Sequence, residues 1–246
     1  MSVRVRFLGT GDAFGSGGRL QAAIHLEARS MRLLLDCGAS TLIGAARWGV
    51  EMDDVDAIVL THFHGDHFGG LPFVVLDAQF GQRERPLLVA GPPGVRERVV
   101  SAMEALYPGS SATRQRFETR FIELAERRPT SVGSATVTAL PAAHSPNASP
   151  TSVRVELDGR TIAYSGDTDW SDALIELADG ADLFVCECYS FEKEIPFHLR
   201  YRTLEAHLGR LGCRRLLLTH LGPEMLERAA EVAVELASDG MELVVE

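Results

Sequence analysis

Three of the eight histidines of this chain, His62, His64 and His67, stand with Asp66 inside the stretch THFHGDHFGG (61–70), directly after the apolar run AIVL. A buried histidine needs a partner for each ring nitrogen, and rings packed this closely would compete for the same few. A metal ion accepts several nitrogens at once and removes the conflict. Along an extended segment alternate residues share a side, so His62 and His64 can face one ion. Asp66 and His67, past the turn at Gly65, can face a second position.

A complete site needs three or more protein ligands per ion. The remaining candidates end apolar segments: His144 after TVTALPAA, Asp167 in YSGDT (164–168) and His220 in LLLTH. Together these seven nitrogen and oxygen donors can hold two ions, with Asp167 between them. The set contains no thiolate, which argues for a hydrolytic site with open coordination positions and against a structural zinc.

THFHGDHFGG resembles the HxHxDH signature of the metallo-β-lactamase superfamily, and His144, Asp167 and His220 follow in the order of its remaining ligands. LGTGDAFGSGGR (8–19), GPPG (91–94) and YSGDT extend the likeness over nearly the whole chain, towards the ribonuclease Z and phosphodiesterase branch. The resemblance implies an α/β fold: a four-layer αββα sandwich of two related β-rich halves. It also implies that His62, His64 and His144 bind a first ion, Asp66, His67 and His220 a second, with Asp167 bridging. Two Zn²⁺ ions are the expected cofactors, and Mn²⁺ or Fe suits the same donors. Two divalent charges outweigh Asp66, Asp167 and a metal-bridging hydroxide, so such a site stays positive and suits an anionic ester. Asp66 is then both ligand and proton acceptor.

Outside the ligands, Glu187 in FVCECY resembles a glutamate of ribonuclease Z, although Cys188 and Tyr189 replace the residues that usually follow it. His198 precedes His220 at the distance where this branch carries a non-ligand histidine, and the resemblance implies a general acid oriented by Glu187. The threonine that normally follows closely is displaced to Thr203. Asp36 and Cys37 read as support near the site, with a hydrogen bond from Asp36 to a ligand histidine in prospect. His207 reads as flanking a packed helix face, and His25 as a hairpin residue without a role in the site.

The elements that must position these side chains alternate. Strands are expected at Val3–Leu8, Ile24–Ala28, Met31–Asp36, Ala57–Thr61, Leu87–Ala90, Phe117–Leu124, Ala135–Leu140, Ser152–Leu157, Thr161–Ser165, Leu183–Cys186 and Arg215–Thr219. Helices are expected at Ala39–Arg47, from about Phe68, from GPPG with proline in its first turn to Leu106, and at Trp170–Ala178, Thr203–Leu211 and Glu224–Ala237. Asp158-Gly159 is a hairpin signal. HLEARSMRLLLDCG (25–38) and RVELDGRTIAYSGD (154–167) form a faint repeat, each followed later by a strand ending in Thr-His.

With 246 residues, 46% of them hydrophobic and 24% charged, the chain reads as one hydrolase domain spanning 1–246. No apolar run approaches the ~18 residues that a membrane span needs, and no signal-peptide pattern opens the sequence. The four cysteines follow no secreted disulfide pattern, so a cytoplasmic enzyme with reduced thiols is expected. A net charge of −10 disfavours indiscriminate nucleic-acid binding. The nine arginines against six acids between Arg83 and Arg128 read as a salt-bridged surface. The leading expectation is a dinuclear phosphodiesterase acting on a small, cyclic or nucleotide phosphodiester, with a homodimer allowed. A ribonuclease Z-like endonuclease for transfer-RNA 3′ ends follows, with RNA less favoured because no insertion reads as an RNA-gripping arm. Lactone or ester hydrolysis ranks below it, since HSPNASPTS (144–152) lacks the turn common in those relatives. A non-catalytic carrier comes last, because all seven ligand positions are filled.

Overall fold

The computed structural model describes residues 2–81 and 83–246. The strands β1 (Val3–Gly9), β2 (Ala23–Glu27), β3 (Arg32–Leu35), β4 (Ala57–Val59), β5 (Leu87–Gly91) and β6 (Thr119–Glu123) enter a first sheet. A second sheet takes β7 (Thr130–Val132), β8 (Ala135–Pro141), β9 (Thr151–Leu157), β10 (Arg160–Tyr164), β11 (Leu183–Glu187), β12 (Leu216–Thr219) and β13 (Glu235–Leu236). The chain then returns β14 (Glu242–Val245) to the first sheet beside β1. The helices are α1 (Thr41–Trp48), α2 (Gly65–Phe68), α3 (Leu71–Phe80), α4 (Val95–Leu106), α5 (Ala173–Ala178), α6 (Tyr201–His207) and α7 (Pro223–Glu227).

Three apolar cores explain the layering. Residues such as Val5, Leu33, Val59, Val155, Tyr164 and Val185 fill the space between the two sheets. Leu34, Ile58, Leu60, Val74, Val89 and Val99 bury the outer face of the first sheet under α1, α3 and α4. Leu174, Leu177, Phe184, Leu204, Leu218 and Met225 do the same for the second under α5, α6 and α7. This is the expected αββα sandwich. β4 is buried along its whole length because it is covered on both faces, which is why it reads as a continuous apolar run. Full burial of a side chain such as Ile58 is worth about 1.5–3 kcal/mol, so register here is firmly set.

The two halves share a plan. Hairpin β2–β3 is followed outward by parallel β4, β5 and β6, and hairpin β9–β10 by parallel β11, β12 and β13. The two Thr-His strands, however, are not equivalent within it. β4 lies beside its hairpin, whereas β12 lies one strand further out. The second hairpin turns at Asp158 and Gly159 with φ of 50° and 75°, the left-handed pair that a two-residue turn requires.

Two expectations are corrected. The helix expected over Glu224–Ala237 ends at Glu227, and Glu235–Leu236 pairs in parallel with Leu217–Leu218 instead. Tertiary pairing outweighs helix propensity there, because the amide of Ala237 satisfies the carbonyl of Leu218. The proline pair 92–93 precedes α4 and does not sit in its first turn; Gly94, at φ 84°, is the residue before the helix. Among the described residues all four cysteines are free, and no helix is long and apolar enough to cross a membrane.

His25 does not behave as an ordinary hairpin residue. It is buried on β2, and its Nε2 has no hydrogen-bond partner among the described residues. Burial pushes its pKa down to about 4; Glu27 opposes this, while Arg6 and Arg32 add to it. A histidine with a depressed folded pKa is neutral in the native state while the unfolded chain takes up a proton, so stability falls as pH drops from about 6.5 towards 4. The loss approaches about 3 kcal/mol below that range. His25→Leu is expected to flatten this part of the stability–pH curve, measured as the difference in urea midpoint between variant and parent from pH 7 to 4. A difference that does not change with pH would show that His25 does not titrate in this way.

Candidate dinuclear metal site

The chemistry-bearing residues stand where strands end. His62, His64, Asp66 and His67 follow β4, with Asp66 and His67 in the single turn of α2; His144 follows β8, Asp167 follows β10 and His220 follows β12. Close approach of the loops depends on Gly166, at φ 56°, where an added Cβ would stand 2.7 Å from the Cβ of Thr61. His220 itself takes a left-handed φ of 57°, and its amide bonds the carbonyl of Thr10 at 3.0 Å. Such backbone costs on the order of 1–3 kcal/mol and persists where the surroundings impose it.

Two clusters result. In the first, His62, His64, His144 and Asp167 offer ligand atoms within 4.8 Å of one another; in the second, Asp66, His67, Asp167 and His220 do so. Asp167 joins them through different oxygens. Its Oδ2 lies 3.8 Å from Nε2 of both His62 and His144, and its Oδ1 lies 3.0 Å from His67 Nε2 and 3.4 Å from His220 Nε2. Asp66 Oδ2 stands 3.5 Å from His67 Nε2 and 3.3 Å from His220 Nε2. All seven residues predicted from the sequence are therefore drawn together, in the two groups that the resemblance implied.

The far sides of the rings are held by the protein. Asp36, fully buried at φ 59°, accepts from His67 Nδ1 at 2.6 Å and from the amide of Thr61 at 2.8 Å. This fixes the tautomer that leaves His67 Nε2 facing the cluster. Thr61 Oγ1 lies 3.1 Å from His62 Nδ1, and the Phe197 carbonyl accepts from His144 Nδ1 at 2.8 Å. Neither Thr61 nor Phe197 was anticipated. The threonine of Thr-His was visible as a repeat, but nothing local signals Phe197.

The charge balance suits cations. Burial and neighbouring histidines push His62 well below its ordinary pKa, leaving a neutral ring with a free lone pair. Burial would lower His220, but Asp167, Asp66 and Glu187 raise it to about 9. Burial would raise Asp167, yet His220, His67 and His62 hold it well below the carboxylate range. The buried Nε2 atoms of His62 and His67 and Oδ1 of Asp167 find no hydrogen bond among the described residues. Orphaned donor atoms that converge in this way fit divalent ions.

Beside the second cluster, Glu187 ends β11 and is fully buried, with His198 Nδ1 3.2 Å from its Oε1. Burial raises the Glu187 pKa although His198 draws it down. Burial would depress His198, and the hydrogen bond to Glu187 raises it. The His198 ring lies 5.1 Å from that of His144 and 4.9 Å from that of Tyr189. A cleft of about 520 Å³ opens beside it, bounded by Asp169, Trp170, Glu194, Arg200 and Thr203. His207 stands apart, stacked on Trp170 at 4.1 Å. In the arginine-rich segment, Arg85 pairs with Asp54 and Asp56 and Arg120 with Glu118, while Arg83 is buried on backbone carbonyls.

Known proteins share this sequence pattern and fold. The profile of the family described as Anti-Pycsar protein Apyc1 matches residues 3–241. A protein named Ribonuclease Z from Lachnoclostridium phytofermentans is 27% identical over 90% of this chain and 88% of its own length. The human tRNase Z, short form, superposes with a TM-score of 0.79 at 25% identity over 99% of both chains. The metallo-β-lactamase fold protein YhfI from Bacillus subtilis gives 0.79 at 22% identity, also over 99% of both. The lower rank expected for RNA gains no support from these relatives, since proteins named for ribonuclease action match across nine-tenths of the chain.

Proposed function

Because this chain belongs to the Anti-Pycsar protein Apyc1 family, among the metal-dependent hydrolases of the ribonuclease Z-like branch of the metallo-β-lactamase superfamily, we propose that it hydrolyses phosphodiesters at a dinuclear site. The observation that carries this reading is the pair of ligand clusters joined through the two oxygens of Asp167, with a histidine–carboxylate pair beside them. His62, His64, His144 and Asp167 would hold one divalent ion, and Asp66, His67, Asp167 and His220 the other. Bound there, such ions would lower the pKa of a water and stabilise charge at the phosphoryl oxygens.

The chain's own residues account for the rest. Asp66, at the edge of the second cluster, would accept the proton of the attacking water. Glu187 holds His198 by its Nδ1, so the remaining ring nitrogen is free to give a proton to the departing oxygen. Asp36, Thr61 and the Phe197 carbonyl keep the ligand rings in one orientation and one tautomer. The cleft beside His198 has the volume of a small or nucleotide substituent, which supports a small, cyclic or nucleotide phosphodiester. The relatives named Ribonuclease Z favour a second reading, cleavage of transfer-RNA precursors at the 3′ end.

A panel of cyclic nucleotides, bis(p-nitrophenyl) phosphate, a transfer-RNA precursor and a lactone, with metal-stripped protein as control, tests the class. Metal-dependent turnover of a phosphodiester is expected, and turnover of the lactone alone would overturn the reading. Elemental analysis should find about two zinc-like ions per chain. No more than one ion after reloading would refute the dinuclear site.

A further inference from the structure

The chain between β11 and α6 forms no helix or strand, and a single bridge between Ser190 and Arg200 closes its base. Its far end carries Phe197 and His198. Phe197 takes a left-handed φ of 70° while its carbonyl accepts from His144 Nδ1 at 2.8 Å. A bulky residue keeps such an angle only where its surroundings impose it. The contacts that impose it lie at the near end. The amides of Phe191, Glu192 and Lys193 all donate to Oε2 of Glu224, at 3.2, 3.4 and 3.3 Å. Three successive amides turned onto one carboxylate make a charge-assisted anchor. Phe191 beneath them is buried, with the guanidinium of Arg228 3.7 Å and that of Arg202 4.9 Å from its ring centroid. Glu192 pairs with both arginines, at 3.3 and 3.4 Å.

Glu224 belongs to α7, which follows closely on the ligand candidate His220. Between them the amide of Gly222 donates to the Tyr189 carbonyl at 2.9 Å. One short segment therefore presents His220 and also grips the loop that presents His198. The two imidazoles stack at 5.5 Å with an interplanar angle of 10°. We propose that Glu224 is a positioning residue, which sets His198 against the metal cluster by holding the turn 191–193. This rests on the general-acid role of His198 in the reading above. Without the carboxylate the turn loses three anchors, while Phe191 and its two arginines keep the loop folded. The loss is one of position, and a shift of about 1 Å costs on the order of 10²-fold in a positioned reaction.

Two phosphodiesters provide the test: 3′,5′-cyclic AMP, which releases an alkoxide, and bis(p-nitrophenyl) phosphate, which releases nitrophenolate. Glu224→Ala is expected to lose at least about tenfold in kcat on the cyclic nucleotide and less than about threefold on the nitrophenyl ester. Glu224→Gln keeps an acceptor oxygen for the amides and should recover most of the difference. In a His198→Ala background, Glu224→Ala should add no further division between the esters, because it acts through that ring. Equal losses on both esters, or a division that persists without His198, would overturn the proposal. Amide hydrogen exchange over residues 194–199 separates this failure from failure of the reading it rests on. If the parent hydrolyses neither ester, or His198→Ala does not divide them, exchange there should still be about tenfold faster in Glu224→Ala, with β11 and β12 unchanged. The positioning then stands and the acid role falls. Exchange over 194–199 equal to that of the parent would overturn the positioning.

Discussion

Asp66→Ala is expected to fold normally and to lose roughly 10³-fold in turnover of a chromogenic phosphodiester. Among the described residues the Asp66 carboxylate pairs with His67 and His220, at 3.5 and 3.3 Å. Burial would raise its pKa, but His67 and His220 hold it well below the carboxylate range, so it is ionised and available to a cation. On the proposed mechanism its removal would take a ligand from the second cluster and the proton acceptor from the reaction together. The fold should survive because the turn 65–70 is tied by backbone: the carbonyl of His67 accepts from the amide of Cys37, and the amide of Gly70 donates to the Cys37 carbonyl. Circular dichroism and a thermal melt would check the fold, metal analysis the ligand role, and initial rates the chemistry. Near-parental rates would remove Asp66 from the mechanism.

His198→Ala should divide substrates by their leaving groups. An alkoxide departs poorly without a proton, and a positioned imidazolium supplies on the order of 10²–10⁴-fold in rate. Nitrophenolate leaves without protonation, so its esters should lose less than about tenfold. The geometry favours this role because Glu187 Oε1 and Oε2 lie 3.2 and 3.3 Å from His198 Nδ1, while Glu187 is itself held by the amide of Thr168. Glu187→Gln should produce a smaller effect of the same kind, since it keeps the hydrogen bond and loses the charge. Metal content should be unchanged in both variants. Equal losses for good and poor leaving groups would show that His198 binds the substrate or the loop, and gives up no proton.

Much of the site was legible because metal ligation demands particular atoms from particular residue types. His62, His64, Asp66 and His67 announce themselves by spacing, and His144, Asp167 and His220 by their places at the ends of apolar runs. The layers were legible for a related reason. Strands buried on both faces must be apolar throughout, and the Asp158-Gly159 turn requires residues that tolerate positive φ.

Other features were decided only in three dimensions. The end of the last helix at Glu227 depends on Leu236 meeting Leu218, a pairing that no local propensity encodes. The displacement to Thr203 leaves the orientation of His198 unspecified in the sequence, and the approach of Glu187 sets the ring. The Thr-His repeat suggested equivalent strands, yet β4 and β12 hold different places in their sheets. His25 and Phe197 show the limit most plainly. One is a histidine whose burial, and the other an aromatic whose backbone angle, follow from contacts with residues far along the chain. Residue type states which bonds a side chain can make. Burial, backbone strain and the partner across the loop decide which it does make, and those belong to the packed structure alone.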